Sequence, residues 1–317
     1  MAVYDIKVGY SCNNKCVHCV IQDCKADLLR NGKSIDLSQE EIFALLNSAR
    51  NAGADRIVLT GGEISIRKDF PDILHRCMEM GFETVVQTNG RLLNKPAIIE
   101  AISAYENISF VVALHGVSAK THDSITQVSG SFKESLKGMQ AMTKLGRKVT
   151  VKVVLSRYNQ SELADLVRLS FDQNFSEICI AYPHGHGAAR VNYKKIAPEY
   201  SDLKKILNEA GDIADELDFP LFFEAIPFCV VPAHLKKVGE LSFLNFSDSY
   251  FVPVNKNAEN WCKVRKEIKQ KFSRCSECLF DKMCEGVWAE YIEHFDSEME
   301  PIIGSKEQQE QLVRILT

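Results

Sequence analysis

Short apolar runs alternate with amphipathic stretches over roughly the first 225 residues, and this rhythm limits the chain to α/β architectures. Strands are predicted at Ala2–Val8, Arg56–Leu59, Thr84–Gln87, Ile108–Leu114, Thr150–Leu155, Glu177–Ala181 and Leu221–Ala225. Between them, apolar residues recur at helical spacing over Phe70–Met80, Ala97–Tyr105, Phe132–Leu145, Ser161–Gln173 and Tyr200–Leu217. Ser38 followed by Glu41 is a capping-box pattern that opens a further helix running to Arg50. Regular strand–helix alternation favours parallel strands joined by right-handed crossovers. Six such units fit before residue 220, fewer than the eight of a closed barrel. The expected fold is therefore α/β, a partial (β/α)6 TIM-type barrel over residues 1–225.

The pattern breaks near residue 226. Ile226–Phe251 carries prolines and scattered aromatics without a clear period, and Trp261–Phe272 reads as a short basic helix. A small, loop-rich domain that needs a metal to fold is expected over residues 226–317, with a surface helix at Lys306–Leu316. Net charge is −4 with both signs interspersed, so no basic block marks a nucleic-acid surface. No apolar run approaches the roughly 18 residues of a membrane span. The opening M-A-V-Y-D-I-K-V lacks the charged and apolar regions of an export signal. Eleven cysteines, an odd count in a chain with no export signal, read as reduced, metal-binding thiols in a cytoplasmic protein.

Three of them stand in S-C-N-N-K-C-V-H-C, directly after the first strand: Cys12, Cys16 and Cys19. In parallel α/β folds the reactive face lies at the carboxyl ends of the strands, which is where this loop falls. Thiolates suit an iron–sulfur cluster or zinc. Zinc would need a fourth ligand, for which His18 or Cys24 is at hand, whereas a cluster held by three thiolates keeps one iron open to a small molecule. Thr60-Gly61-Gly62-Glu63 follows the second strand. Paired glycines let a backbone come close to a ligand, and a carboxylate beside them can take an ammonium group.

With these two motifs, residues 1–225 resemble the radical S-adenosylmethionine superfamily. The resemblance implies a [4Fe-4S] cluster on Cys12, Cys16 and Cys19, its unique iron chelated by the methionine amino and carboxylate groups of S-adenosylmethionine. It places Gly61, Gly62 and Glu63 beside that amino group, and His18 where the family favours an aromatic. The family often continues G-G-E-P; this chain reads G-G-E-I-S-I-R, which implies a different loop path. By the same resemblance Asn89, His115 and Ser156, at later strand ends, are candidates for contacts with the cofactor. The alternatives are a turn residue before Gly90 for Asn89 and a satisfied buried imidazole for His115. Thr121-His122-Asp123 resembles a helix start in relatives.

Cys275-x2-Cys278-x5-Cys284 offers three more thiolates, and a closed site needs a fourth. Cys229, in a loop between prolines, and Cys262, in a helical stretch, are the candidates. The region resembles the twitch or shortened SPASM domains appended to many radical S-adenosylmethionine enzymes, which favours Cys229 and a second, auxiliary [4Fe-4S] cluster; structural zinc is the alternative. Cys77 and Cys179 read as core thiols and Cys24 as a loop thiol. Tyr182-Pro183-His184-Gly185-His186-Gly187 opens onto the active face, where two histidines could handle protons or the loop could be a plain turn. Glu224 ends a strand and could meet substrate.

The implied reaction starts with one electron, from a donor such as flavodoxin or ferredoxin. It cleaves S-adenosylmethionine to methionine and a 5′-deoxyadenosyl radical, which takes a hydrogen atom from the substrate. An auxiliary cluster favours outcomes that shed an electron. A ribosomal peptide is the first expected substrate, since this C-terminal domain type is common in peptide maturases. The chain starts close to its first strand, so a separate peptide-recognition protein is expected. Oxidation or rearrangement of a small metabolite, such as a sugar or aminoglycoside, is the second reading. A non-catalytic, zinc-stapled binding protein is the third.

Overall fold

The structure, a computed structural model, describes residues 2–241, 249–295, 299–305, 307 and 308. Seven strands carry the architecture: β1 (Ala2–Lys7), β2 (Ala54–Thr60), β3 (Glu83–Thr88), β4 (Ile108–Ala113), β5 (Lys148–Val154), β6 (Glu177–Ala181) and β7 (Leu221–Glu224). They lie side by side in chain order and all are parallel. Helices α1 (Gln22–Arg30), α2 (Gln39–Asn51), α3 (Phe70–Glu79), α4 (Pro96–Ser103), α5 (Ala119–Thr126), α6 (Ser131–Lys144), α7 (Leu163–Asp172), α8 (Ala188–Val191), α9 (Tyr193–Ile196) and α10 (Tyr200–Glu216) fill the crossovers. Each strand neighbouring its predecessor is barrel order rather than doubly wound order. Among the described strands no ladder joins β7 back to the other edge, so the barrel is partial, as expected.

The strand and helix periods put apolar faces together. Ile57, Leu59, Val86, Phe110, Val112, Val151 and Val153 are fully buried, as are Leu46, Phe70, Leu74, Met139, Leu166 and Leu203 on the covering helices. Each such side chain contributes about 1.5–3 kcal/mol when removed from water. The capping box forms as read: Ser38 Oγ accepts from Glu41 N at 3.2 Å, and Glu41 Oε2 accepts from Ser38 N at 2.7 Å. No helix among the described residues is long and apolar enough to cross a membrane.

The segment after residue 226 returns to the sheet. Strand β8 (Ser249–Val252) pairs parallel with β1, and β9 (Glu259–Asn260) pairs antiparallel with β8. The expected basic helix is shorter, α11 (Trp261–Ile268), because the chain then becomes strand β10 (Lys269–Gln270), paired with β11 (Val287–Trp288). Helix α12 (Ala289–His294) follows. The helix expected at Lys306–Leu316 lies outside the described residues, apart from residues 307 and 308. A buried ionic network binds this part to the end of β7. Lys269 Nζ lies 2.7 Å from Glu240 Oε1 and 2.9 Å from Glu285 Oε2, Arg265 pairs with Glu285, and Glu240 Oε1 accepts from Ala225 N at 2.8 Å.

Thr121-His122-Asp123 lies inside α5, and Asp123 does the capping for α6. Its carboxylate accepts from Gly130 N at 2.7 Å and from Ser131 Oγ and Phe132 N at 2.8 Å each. Burial alone would raise the Asp123 carboxyl, but the Phe132, Ser131 and Gly130 donors and His122 hold it below the ordinary carboxylate value. A depressed folded pKa means stability that is present above the unfolded value of about 3.9 and is lost as pH falls through the folded one. Replacing Asp123→Ala is expected to cost about 1–2 kcal/mol at pH 7 in a urea titration, and less below pH 3. An equal loss at both pH values would show that the charge has no part in the cap.

Candidate functional site

The cysteine loop is held from every side before any ligand is considered. The turn after β2 docks on it backbone to backbone: Gly62 N donates to Gly9 O and Glu63 N to Ser11 O, both at 2.8 Å. A Cβ on Gly61 would lie 2.2 Å from Gly9 O, and one on Gly62 would lie 2.1 Å from Ser11 O. Gly61 also has φ +129°, which favours glycine. On the other side Asp36 accepts from Tyr10 N at 2.9 Å and Ser11 N at 3.0 Å. Lys15 N and Val17 N donate to Thr126 O and Ile125 O at the end of α5. Arg91 Nη1 reaches Asn13 O at 2.6 Å and Asn14 Oδ1 at 2.9 Å.

Glu63 is 2% exposed, and its carboxylate is a hub. Oε1 accepts from Ser65 N at 3.0 Å and from the Ser65 and Thr88 hydroxyls at 2.5 Å each, while Oε2 accepts from Asn89 N at 2.6 Å. Asn89 Nδ2 in turn donates to Asn13 Oδ1 at 2.6 Å. The ends of β2 and β3 and the cysteine loop are thus one hydrogen-bonded unit. Asp36 and Arg91 were not singled out from the sequence; only their partners across 25 or more residues reveal them.

The three thiols feel one another. Burial pushes Cys16 up to about 12, and charge on Cys19 or Cys12 adds to this. Burial also raises Cys12 and Cys19. Beside them stand three buried imidazoles. The His18 and His115 rings meet edge-on at 4.7 Å, and His115 stacks on His122 at 5.7 Å. Burial lowers His18 and His122 to about 4 and His115 well below its ordinary value, so all three are neutral near pH 7. His115 Nδ1 faces Val154 N at 3.3 Å, and His115 N donates to His122 Nδ1 at 3.0 Å. Ser156 is fully buried and its N and Oγ donate to Asn159 Oδ1, while Asn159 Nδ2 donates to His115 O and Val154 O. Asn159, unremarked in the sequence, ties the ends of β4 and β5.

The second cysteine group closes around an opening of about 440 Å3 lined by Cys229, Cys275, Cys278, Cys284 and the stacked rings of Phe228 and Phe280. Burial raises Cys229 to about 12, and Cys284, Cys278 and Cys275 each add to it. Burial raises Cys284 to about 11. Cys262, on α11, does not line this opening. Gly286 stands at φ +85°, and a Cβ on it would lie 2.0 Å from Gln270 O.

Elsewhere, Cys77 is buried in α3, and Cys24 is exposed on α1. Cys179 is buried but not apolar in its contacts: its Sγ lies 3.2 Å from Lys152 Nζ. Lys152 also pairs with Glu224. Burial alone would depress the Lys152 ammonium and lift the Glu224 carboxyl; their mutual attraction, with Cys179 acting on Lys152, reverses both. His184 and His186 meet Glu290 of α12.

A family profile described as the Radical SAM superfamily matches residues 6–170. A probable GTP 3′,8-cyclase of Saccharolobus islandicus is 28% identical over 203 residues, 63% of this chain and 62% of that protein. The Fe-coproporphyrin III synthase of Methanosarcina barkeri is 30% identical over 213 residues, 66% of this chain and 51% of that protein. The chain spans less than two thirds of the length of these curated relatives. The crystal structure of Streptococcus suis SuiB bound to precursor peptide SuiA shares the fold, with a TM-score of 0.66 and 18% identity, covering 96% of this chain and 75% of that one.

A methyl group at Gly62 must separate the turn from the cysteine loop. Gly62→Ala is expected to lower stability by about 1–3 kcal/mol and to speed amide exchange at residues 9–13 and 61–65 together. Hydrogen-exchange mass spectrometry would show this; unchanged exchange in either segment would mean that the two are not one unit.

Proposed function

We infer the function from the family: this chain belongs to the radical S-adenosylmethionine superfamily, whose members are enzymes that use a [4Fe-4S] cluster and S-adenosylmethionine. We propose that Cys12, Cys16 and Cys19 hold that cluster and that Gly61, Gly62, Glu63, Asn89, His115 and Ser156 shape the cofactor's seat. The observation that carries this reading is the seam joining the cysteine loop to the glycine turn at adjacent strand ends. When bound, the cluster and cofactor would supply a 5′-deoxyadenosyl radical that takes a hydrogen atom from substrate.

The donor sets support clusters over zinc. Thiolates around one tetrahedral zinc stand about 3.8 Å apart. Among the described residues, three metal-capable side chains with all ligand atoms within 4.8 Å occur at His184, His186 and Glu290, not at either cysteine group. Neither cysteine group is therefore drawn in to the spacing of a single tetrahedral ion. Their raised thiol pKa values oppose ionisation, and a bound cationic core reverses that because coordinated thiols are deprotonated. We assign Cys229, Cys275, Cys278 and Cys284 to an auxiliary cluster, Cys229 because it feels all three others. In this reading residues 1–225 serve the first cluster and 226–317 the second, with β8 carried back to the edge of the barrel sheet.

The substrate we favour is a ribosomal peptide, modified oxidatively by cross-linking, epimerisation or dehydrogenation. Support comes from the likeness in fold to SuiB, which covers 96% of this chain. The Lys152–Glu224 pair offers both charges to a peptide's polar groups. Flavodoxin or ferredoxin would deliver the electron, and a separate protein would present the peptide. The second reading, a small metabolite, draws on the names of the curated relatives, a nucleotide cyclase and a porphyrin synthase.

Anaerobic purification with iron and sulfide analysis is expected to return about eight irons per chain, four for each cubane. Cys229→Ala should lose about half and Cys262→Ala none; the reverse pattern would move the fourth ligand to Cys262. With dithionite and S-adenosylmethionine the protein should release 5′-deoxyadenosine, and a substrate peptide should accelerate it. Absence of deoxyadenosine from fully loaded protein would overturn the chemistry. Acceleration by small metabolites and not by peptides would favour the second reading.

A further inference from the structure

We propose that His184, His186 and Glu290 form a third metal site, for a single divalent transition-metal ion of the zinc class, separate from both cysteine groups. His186 Nε2 lies 2.8 Å and His184 Nδ1 3.3 Å from Glu290 Oε1, and one donor atom from each residue falls within 4.8 Å of the other two. Neighbouring donors around one ion at about 2.1 Å stand roughly 3.0 Å apart in octahedral and 3.4 Å apart in tetrahedral geometry. The 3.3 Å spacing falls inside that range and the 2.8 Å spacing just below it. Two imidazoles and one carboxylate are a donor set that zinc and non-haem iron both accept, and they leave positions for water or a substrate oxygen.

Several features mark the group as built rather than incidental. His184 and Glu290 side chains are only 16% and 14% exposed, while His186, at 53%, faces solvent and gives an ion a way in. Glu290 Oε2 is buried with no hydrogen-bond partner, and His184 Nδ1, buried and 3.3 Å from Glu290 Oε1, makes no well-aligned hydrogen bond, an arrangement that a cation would relieve. The Trp288 ring packs 4.2 Å from His184 and fixes its plane. Gly185, between the two histidines, is required: a Cβ there would sit 2.6 Å from Glu290 Cβ. The site also has a defined address. Ala188 N donates to Cys19 O at 2.9 Å and Gly187 N to Asp23 Oδ2 at 3.1 Å, so the histidine loop is fastened to the first cysteine loop. An ion here would clamp α12 of the C-terminal part onto the reactive end of the barrel.

The test uses the holoprotein with its iron and sulfide in place, so that thiols do not compete, and Zn2+ as the probe. Chelator-treated protein is titrated calorimetrically, and metal content is measured after gel filtration. One Zn2+ per chain is expected, with affinity reduced at least about tenfold in both Glu290→Gln and His186→Gln. Iron and sulfide content should not change. Glutamine keeps hydrogen-bonding capacity at both positions, and His186 is exposed, so at least that variant should fold as the parent does. Zinc bound equally by parent and variants, or no zinc retained by the parent, would overturn the site. These readouts do not depend on S-adenosylmethionine cleavage, so the metal site and the radical reading stand or fall separately.

Discussion

The reactive end of this protein rests on a seam made of backbone alone. Parallel pairing of β1 with β2 sets Lys7 opposite Thr60, so the two chains leave the sheet level with each other. Two amide-to-carbonyl bonds then continue the pairing past the strand ends, into the glycine turn on one side and the cysteine loop on the other. Side chains would not permit this contact, because a Cβ at either glycine would fall about 2 Å from a carbonyl oxygen. Glu63 transfers the same constraint sideways, since its four donors come from its own turn and from the end of β3. A loop with little regular structure is thereby given the rigidity of the sheet.

Charge is handled differently at the two ends of the chain. The first cysteine loop is held by single charged side chains, Asp36 and Arg91, acting on its backbone, with the Glu63 carboxylate in a web of amide and hydroxyl donors and three buried imidazoles that burial keeps unprotonated beside it. The second lies beside a dense ionic network in which Lys269 is 1% and Glu240 8% exposed. At the Cys284 thiol, which burial raises most, Glu240 of this network adds to the rise and Lys269 opposes it. Removing one member would strand a buried charge, at a cost of about 3–5 kcal/mol, whereas the paired set need add little stability. Its clearer effect is geometric, since it fixes α11, β10 and the turn at Glu285 against the end of β7.

The barrel was legible because it obeys simple periods: all seven central strands, the six crossovers and the Ser38 capping box follow from apolar spacing and one cap motif. Elements that bury little carried no such signal. Helix α1 has no buried residue, and β8, a four-residue strand between β1 and β9, buries only Val252 and stops at Pro253. The cysteines and the glycine turn announced themselves by spacing. Asp36, Arg91 and Asn159 did not, since an aspartate or arginine that clamps a distant backbone looks like any surface charge until the fold supplies its partner. Glu290 was invisible for the same reason: the histidines are close together in sequence, but their carboxylate comes from the far end of the chain.

That long-range contact matters for how the two parts of the chain communicate. The loop after β6 touches Cys19 through Ala188 and Gly187 at one end and α12 through His184 and His186 at the other. Gly185 and Gly187 both sit where a side chain would collide, with Glu290 and with the Cys19 carbonyl respectively. The loop therefore has little room to give. Packed atoms thus run without a gap from α12 to the first cysteine loop. The second cysteine group lies along that path, because Trp288, whose ring packs tilted against His184, is the β11 residue paired with Lys269. The two cysteine groups are thus joined by a run of direct contacts, from Lys269 through Trp288 and the histidine loop to Cys19.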